Sequence, residues 1–97
     1  MSTTPEKIVK NKIRAILDKA GVYYAMPMGT GYGNSGVPDF LACFNGEFIG
    51  IEAKAGKGTT TALQNENLQR ICIAGGTTFV VNEKNLHELE EYVTCKM

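Results

Sequence analysis

The dipeptide Asn45-Gly46 constrains the fold of this chain more than any other pair of residues in it. It separates Val37-Pro-Asp-Phe-Leu-Ala-Cys-Phe44 from Glu47-Phe-Ile-Gly-Ile-Glu-Ala-Lys54, two β-prone runs. Asn-Gly is the pair that a two-residue hairpin turn demands, because both central positions need positive φ. Such a turn pairs Phe44 with Glu47, and every later pair must keep the same index total, so Asp39 falls opposite Glu52. Side chains so placed stand ~4.5–5.5 Å apart on one face, and two like charges there destabilise the sheet unless positive charge sits between them. The hairpin therefore asks for a cation.

Lys54 lies two residues beyond Glu52 and projects from the same face, and the Ala53 backbone carbonyl adds an oxygen at the rim. Oxygen donors of this kind suit a hard divalent ion, Mg²⁺ or Mn²⁺. Such an ion and a lysine together can stabilise the charge that builds during phosphodiester hydrolysis. Solvated surface charges would explain Asp39, Glu52 or Lys54 singly, but not their shared face. Val37, Leu41 and Phe48 share that face too, and are expected to be buried.

The remaining segments supply the scaffold. Val9, Ile13, Ile16, Leu17 and Ala20 form one face of a helix over 4–20, which Thr3, Thr4 and Pro5 start and Gly21 ends. Val22–Met26 reads as a strand. Thr61 opens a second helix with Leu68, Ile71 and Cys72 on one face, and Gly75-Gly76 stops it. Thr77–Val81 is a fourth strand, and Asn82 caps a last helix bearing Leu86, Leu89 and Val93. The order is α-β-β-β-α-β-α, an α/β or α+β core in one domain over 1–97. Cys43, Cys72 and Cys95 are too widely spaced for a zinc site and odd in number, so they are expected to be reduced and mostly buried.

Ten Lys and Arg balance ten Asp and Glu, which excludes capture of a polyanion by bulk charge and leaves only a local basic rim. Residues 1–20 carry five basic groups against two acidic ones, and Lys10, Arg14 and Lys57 are the rim candidates. No apolar run reaches the ~18 residues of a membrane span, and the N-terminus has no signal-like core, so an intracellular, cytoplasmic chain without membrane contact is expected. Gly31-Tyr-Gly-Asn-Ser-Gly36 imitates a dinucleotide-binding glycine pattern but runs into Val37-Pro38 rather than a helix, so no nucleotide cofactor is expected. Its Ser35 is placed to line a cleft beside Asp39.

Val37-Pro-Asp-Phe40 followed by Ile51-Glu-Ala-Lys54 resembles the PD-(D/E)XK nuclease signature. With Ser35-Gly-Val-Pro-Asp39, Gly50-Ile-Glu-Ala-Lys54, Gln64 and the Gly75-Gly76 to Val81 strand, the chain resembles more narrowly the virus-type replication-repair nuclease (VRR-NUC) domain, from Glu6 to the last helix. The resemblance implies a restriction-endonuclease-like core with a central mixed sheet flanked by helices. It implies that Asp39, Glu52 and the Ala53 carbonyl bind the metal, that Lys54 orients or activates the attacking water, that Gln64 supports the site and that Glu6 joins the metal shell. Small stand-alone members are similar to Holliday-junction resolvases, which implies a homodimer acting on branched DNA. Thr3-x-x-Glu6 and Thr61-x-x-Gln64 also fit a capping box, so helix initiation is a second explanation for both acceptor residues. Where many members have an aromatic three residues after the glutamine, this chain has Asn67. A module that binds nucleic acid without cutting it, or that cuts only with a partner protein, is the alternative reading.

Overall fold

The computed structural model describes residues 4–28 and 36–95. The chain is α+β: α1 (Pro5–Lys19), β1 (Tyr23–Ala25), β2 (Phe40–Phe44), β3 (Glu47–Ala53), α2 (Ala62–Ile73), β4 (Thr77–Val81) and α3 (Leu86–Cys95). The four strands lie in the order β1-β2-β3-β4. β1 and β3 flank β2 antiparallel, and β4 runs parallel to β3. No helix of the described residues is long and apolar enough to cross a membrane.

The hairpin register is the one that the turn dictates. Phe44 pairs with Glu47 and the ladder runs to Phe40 with Ile51, one step short of Asp39 and Glu52. Asn45 and Gly46 have φ of 52° and 79°, as that turn requires. β2 is shorter than its apolar run because Pro38 has no N–H to give the ladder, and Asp39 sits in a bend.

α1 starts at the Thr4 cap, whose hydroxyl accepts from the Lys7 N–H at 3.1 Å, with Pro5 next. Glu6 is therefore the second helical residue rather than the third, and the Thr3-x-x-Glu6 capping box is not the start signal used. At the other end Gly21 takes φ 72°, and the Gly21 and Val22 N–H groups return to the Asp18 and Leu17 carbonyls, a Schellman closure. Gly75 and Gly76 end α2 in the same way, on Cys72 and Ile71.

Strand alternation divides the sheet into two unlike faces. On one, Phe40, Ala42, Phe44, Ile49, Ile51, Ala53 and Val81 are buried with Val9, Ile13 and Leu17 of α1 and Leu89 and Val93 of α3. On the other, α2 packs chiefly on β3 and β4. Gly50 makes that approach possible: a Cβ there would stand 2.7 Å from the Ile71 Cδ1. The rest of this face is open. Phe48 is 47% exposed and Val37 38%, and Leu41 is only half-buried, contrary to the burial expected of all three. Cys43 and Cys72 are likewise exposed free thiols, because among the described residues no helix covers β2 on this side and Cys72 lies near the C-terminal end of α2.

Candidate active site

Three separate pieces of backbone meet where β2 begins and β3 ends. Asp39 precedes β2, Glu52 and Ala53 close β3, and Gln64 stands in the first turn of α2. The side chain of Asp39 is pinned by the strand opposite: its Oδ2 accepts from the Ala53 N–H at 2.8 Å. In a strand the N–H and C=O of one residue leave toward the same neighbour, so the Ala53 carbonyl also faces the Asp39 side. The Lys54 N–H, one residue on, points the other way and donates to the Val81 carbonyl at 2.9 Å.

Among the described residues Glu52 is the buried charge, 2% exposed beneath α2. Its Oε2 accepts from Gln64 Nε2 at 3.0 Å and lies 4.0 Å from Lys54 Nζ. Its Oε1 is buried and has no hydrogen-bond partner among the described residues. An unsatisfied buried carboxylate oxygen is expensive to keep, and the cost is visible in its acidity. Burial first, and the Asp39 charge second, push the Glu52 carboxyl up to about 7, while Lys54 pulls the other way.

Gln64 fills both roles open to it. Thr61 and Gln64 form a complete capping box, the Thr61 N–H donating to Gln64 Oε1 at 2.9 Å. The same side chain gives its NH₂ to Glu52. An amide has an acceptor at one end and a donor at the other, so starting α2 and holding the carboxylate are one act. α2 is seated by Gly36, where a Cβ would lie 2.6 Å from the Leu63 carbonyl oxygen and 2.8 Å from Asn67 Nδ2. Asn67 packs there and donates its amide N–H to the Leu63 carbonyl at 2.9 Å.

Lys10 belongs to this cluster, a contact that sequence spacing could not give. Its Nζ lies 3.4 Å from Asp39 Oδ1 and 3.8 Å from Glu6 Oε2. Glu6 thus reaches the site through Lys10. Arg14 lies one turn further along α1, in a groove of about 620 Å³ with Thr4, Glu6, Lys7, Lys10, Asn11 and Met26. Lys57 is exposed on the loop after β3, whose Gly56 N–H is held by the Glu83 carboxylate at 3.0 Å. Its own backbone N–H first, and the Gly56 N–H second, hold the pKa of the Glu83 carboxyl below its usual range. Glu83 thus has a hand in placing this loop, which the spacing of the sequence did not suggest. Ser35 lies outside the described residues.

The donor set suits a hard divalent ion. Asp39 Oδ1, Glu52 Oε1 and the Ala53 carbonyl are all oxygens, and one of them is a buried orphan. Among the described residues no group of three or more His, Cys, Asp and Glu side chains gathers to make a cage. Two carboxylates and a carbonyl are what an ion such as Mg²⁺, which keeps several of its waters, requires of a protein. No family model matches the chain and no curated protein matches its sequence.

Proposed function

We propose that the chain is a metal-dependent DNA endonuclease of the PD-(D/E)XK type, built as a VRR-NUC-like domain and acting on branched DNA such as four-way junctions. The observation that carries the reading is Glu52: a carboxylate buried under α2, opposite Asp39, with one oxygen held by Gln64 and Lys54 and the other unpaired. A protein that only bound DNA would gain nothing from burying a charge that repels both its neighbour and phosphate.

In this reading Asp39, Glu52 and the Ala53 carbonyl hold Mg²⁺ or Mn²⁺. The ion, when bound, supplies positive charge for a phosphate oxygen and makes a water more acidic. The protein supplies the positioning. The Ala53 N–H fixes the rotation of the Asp39 carboxylate, and Gln64 fixes that of Glu52, so that each presents one defined oxygen. Lys54, largely buried beside Glu52, places an ammonium at the edge of the site, where it can orient a water by hydrogen bonding and offset the negative charge that grows on the phosphate. Lys7, Arg14 and Lys57 offer contacts to backbone phosphates, with affinity falling as salt rises.

A single site cuts one strand, so a junction substrate calls for two copies. Tyr23, Met26, Met28 and Phe48 are exposed apolar side chains suited to a homodimer contact. The test is cleavage of labelled single-strand, duplex, flap and four-way DNA in Mg²⁺ or Mn²⁺, by wild type beside Glu52→Gln and Lys54→Ala. Ion-dependent cutting that both variants lose is the expected result. Equal cutting by all three proteins overturns the mechanism, and binding without cutting by any of them replaces it with a binding module.

A further inference from the structure

The two carboxylates of the site are treated alike at one oxygen and differently at the other. Asp39 Oδ2 is committed to the Ala53 N–H and Glu52 Oε2 to Gln64. Among the described residues Glu52 Oε1 has no hydrogen-bond partner, whereas Asp39 Oδ1 has the Lys10 ammonium 3.4 Å away. Lys10 thus stands at the oxygen through which Asp39 would hold an ion. It stands there from another element, drawn also by Glu6 one turn earlier on α1. The side chain of Asp39 is 18% exposed and that of Lys10 31%, so their attraction is only partly screened by solvent.

We infer that Lys10 is an internal competitor of the divalent ion: it neutralises Asp39 while the site is empty and must leave Asp39 Oδ1 for the ion to bind. This inference rests on the nuclease reading, and gives Lys10 a regulatory place in it. A monovalent ammonium and a divalent cation repel each other, so sharing one carboxylate oxygen at contact distance is opposed by that repulsion. Without the Lys10 ammonium, only Lys54, on the Glu52 side, would offset the repulsion between the facing Asp39 and Glu52 in the ion-free protein. With it, ion uptake is opposed by the energy of the pair it breaks. Lys10 already lines the groove along α1 with Glu6, Lys7 and Arg14, so the released ammonium stays within that groove. There it adds a third positive charge for a phosphate. Ion binding and DNA binding then favour each other, each by the same factor.

The test measures ion binding directly, without DNA. Mn²⁺ is titrated into wild type, Lys10→Met and Glu52→Gln, with free Mn²⁺ followed by electron paramagnetic resonance. In parallel, wild type is acetylated with a limiting amount of an amine-reactive acetyl donor with and without Mg²⁺, and the modification of Lys10 is compared with that of exposed Lys19 by mass spectrometry. Removal of the competitor is expected to tighten Mn²⁺ by about fivefold, the scale of a partly screened ion pair, and Mg²⁺ is expected to raise acetylation of Lys10 relative to Lys19. Unchanged or weaker Mn²⁺ binding by Lys10→Met, with Glu52→Gln having lost it, overturns the role of Lys10 and leaves the nuclease reading standing. Equal Mn²⁺ binding by wild type and Glu52→Gln overturns the nuclease reading, and this inference with it. Should Lys10→Met fail to fold, the footprint decides: acetylation of Lys10 that is unchanged or reduced by Mg²⁺ rejects the competition.

Discussion

Two neighbours on β3 divide the molecule between them. Ile51 points into the face closed by α1 and α3 and is fully buried. Glu52 points into the face that α2 covers in part, and is buried almost as deeply. The first burial removes apolar surface from water and is self-justifying, at roughly 25 cal/mol per Å². The second works against folding, because it takes a carboxylate out of water, sets it opposite Asp39 and leaves one oxygen unpaired. A strand can do both because its side chains alternate. Stability is gathered on one side of the sheet and spent on the other, and groups that are costly for stability mark where function is to be sought.

The largest effect expected is a crossed pair of substitutions. Glu52→Gln keeps size and hydrogen bonding but removes the charge, so ion-dependent cleavage should fall on the order of a thousandfold, while the protein unfolds at equal or higher denaturant in the absence of ions. Ile51→Ala should do the reverse, lowering unfolding free energy by about 2–5 kcal/mol while the folded fraction keeps its ion affinity. Urea melts and cleavage assays on both variants break the comparison if Glu52→Gln destabilises as much as Ile51→Ala.

The pH dependence of stability sharpens it. The Glu52 carboxyl is raised from 4.5 to about 7, so between these values the folded chain holds a proton that the unfolded chain has released. Stability is then greatest below pH 4.5 as far as this group is concerned, and falls as pH rises toward 7, by up to about 3 kcal/mol. Urea titrations in chelator from pH 4.5 to 7.5 should show this fall in wild type and a flatter profile in Glu52→Gln. An added divalent ion should reverse it, because binding to the ionised carboxylate stabilises the fold by mass action.

The closed face and the hairpin were legible in the sequence because both rest on local rules. Asn45-Gly46 sets the index at which residues pair, and period-two alternation separates Ile51 from Glu52. The extent of cover on the open face is not a local property. It depends on where α2 comes to lie across the sheet, which is decided by the Gly50 and Gly76 contacts with Ile71. Hence Phe48 and Leu41, which alternate in phase with Glu52, are exposed or half-buried rather than buried. The Lys10–Asp39 contact is not legible in the sequence because the partners lie 29 positions apart, and only the seating of α1 on the sheet brings them together. Gln64 was ambiguous for a different reason: two explanations were offered as rivals, and one amide satisfies both.

That double duty can be taken apart. Gln64→Glu keeps an acceptor for the Thr61 N–H, and so the capping box, but turns a donor to Glu52 into a third negative charge. Gln64→Ala loses both. The alanine variant should lose about 1 kcal/mol of stability from the cap. The glutamate variant should keep the cap yet show the larger loss of cleavage at neutral pH. Equal activity in both would mean that the amide matters only as a helix start.

The smallest effect concerns the uncovered part of the open face. Phe44 and Phe48 sit on either side of the same turn, but Phe44 is 8% exposed on the closed face and Phe48 is 47% exposed on the open one. Phe44→Ala should therefore cost about 3–5 kcal/mol, and Phe48→Ser less than about 1 kcal/mol in a monomer. A second copy seated on this face changes the second figure and leaves the first alone, because the added burial exists only in the dimer and depends on protein concentration. Thermal melts of wild type and Phe48→Ser over a hundredfold range of concentration make the distinction. Melting temperatures that rise with concentration in wild type but not in Phe48→Ser put the dimer contact on the open face, on the same side of the sheet as Glu52. Melting temperatures independent of concentration in both leave Phe48 facing solvent and move any dimer contact elsewhere.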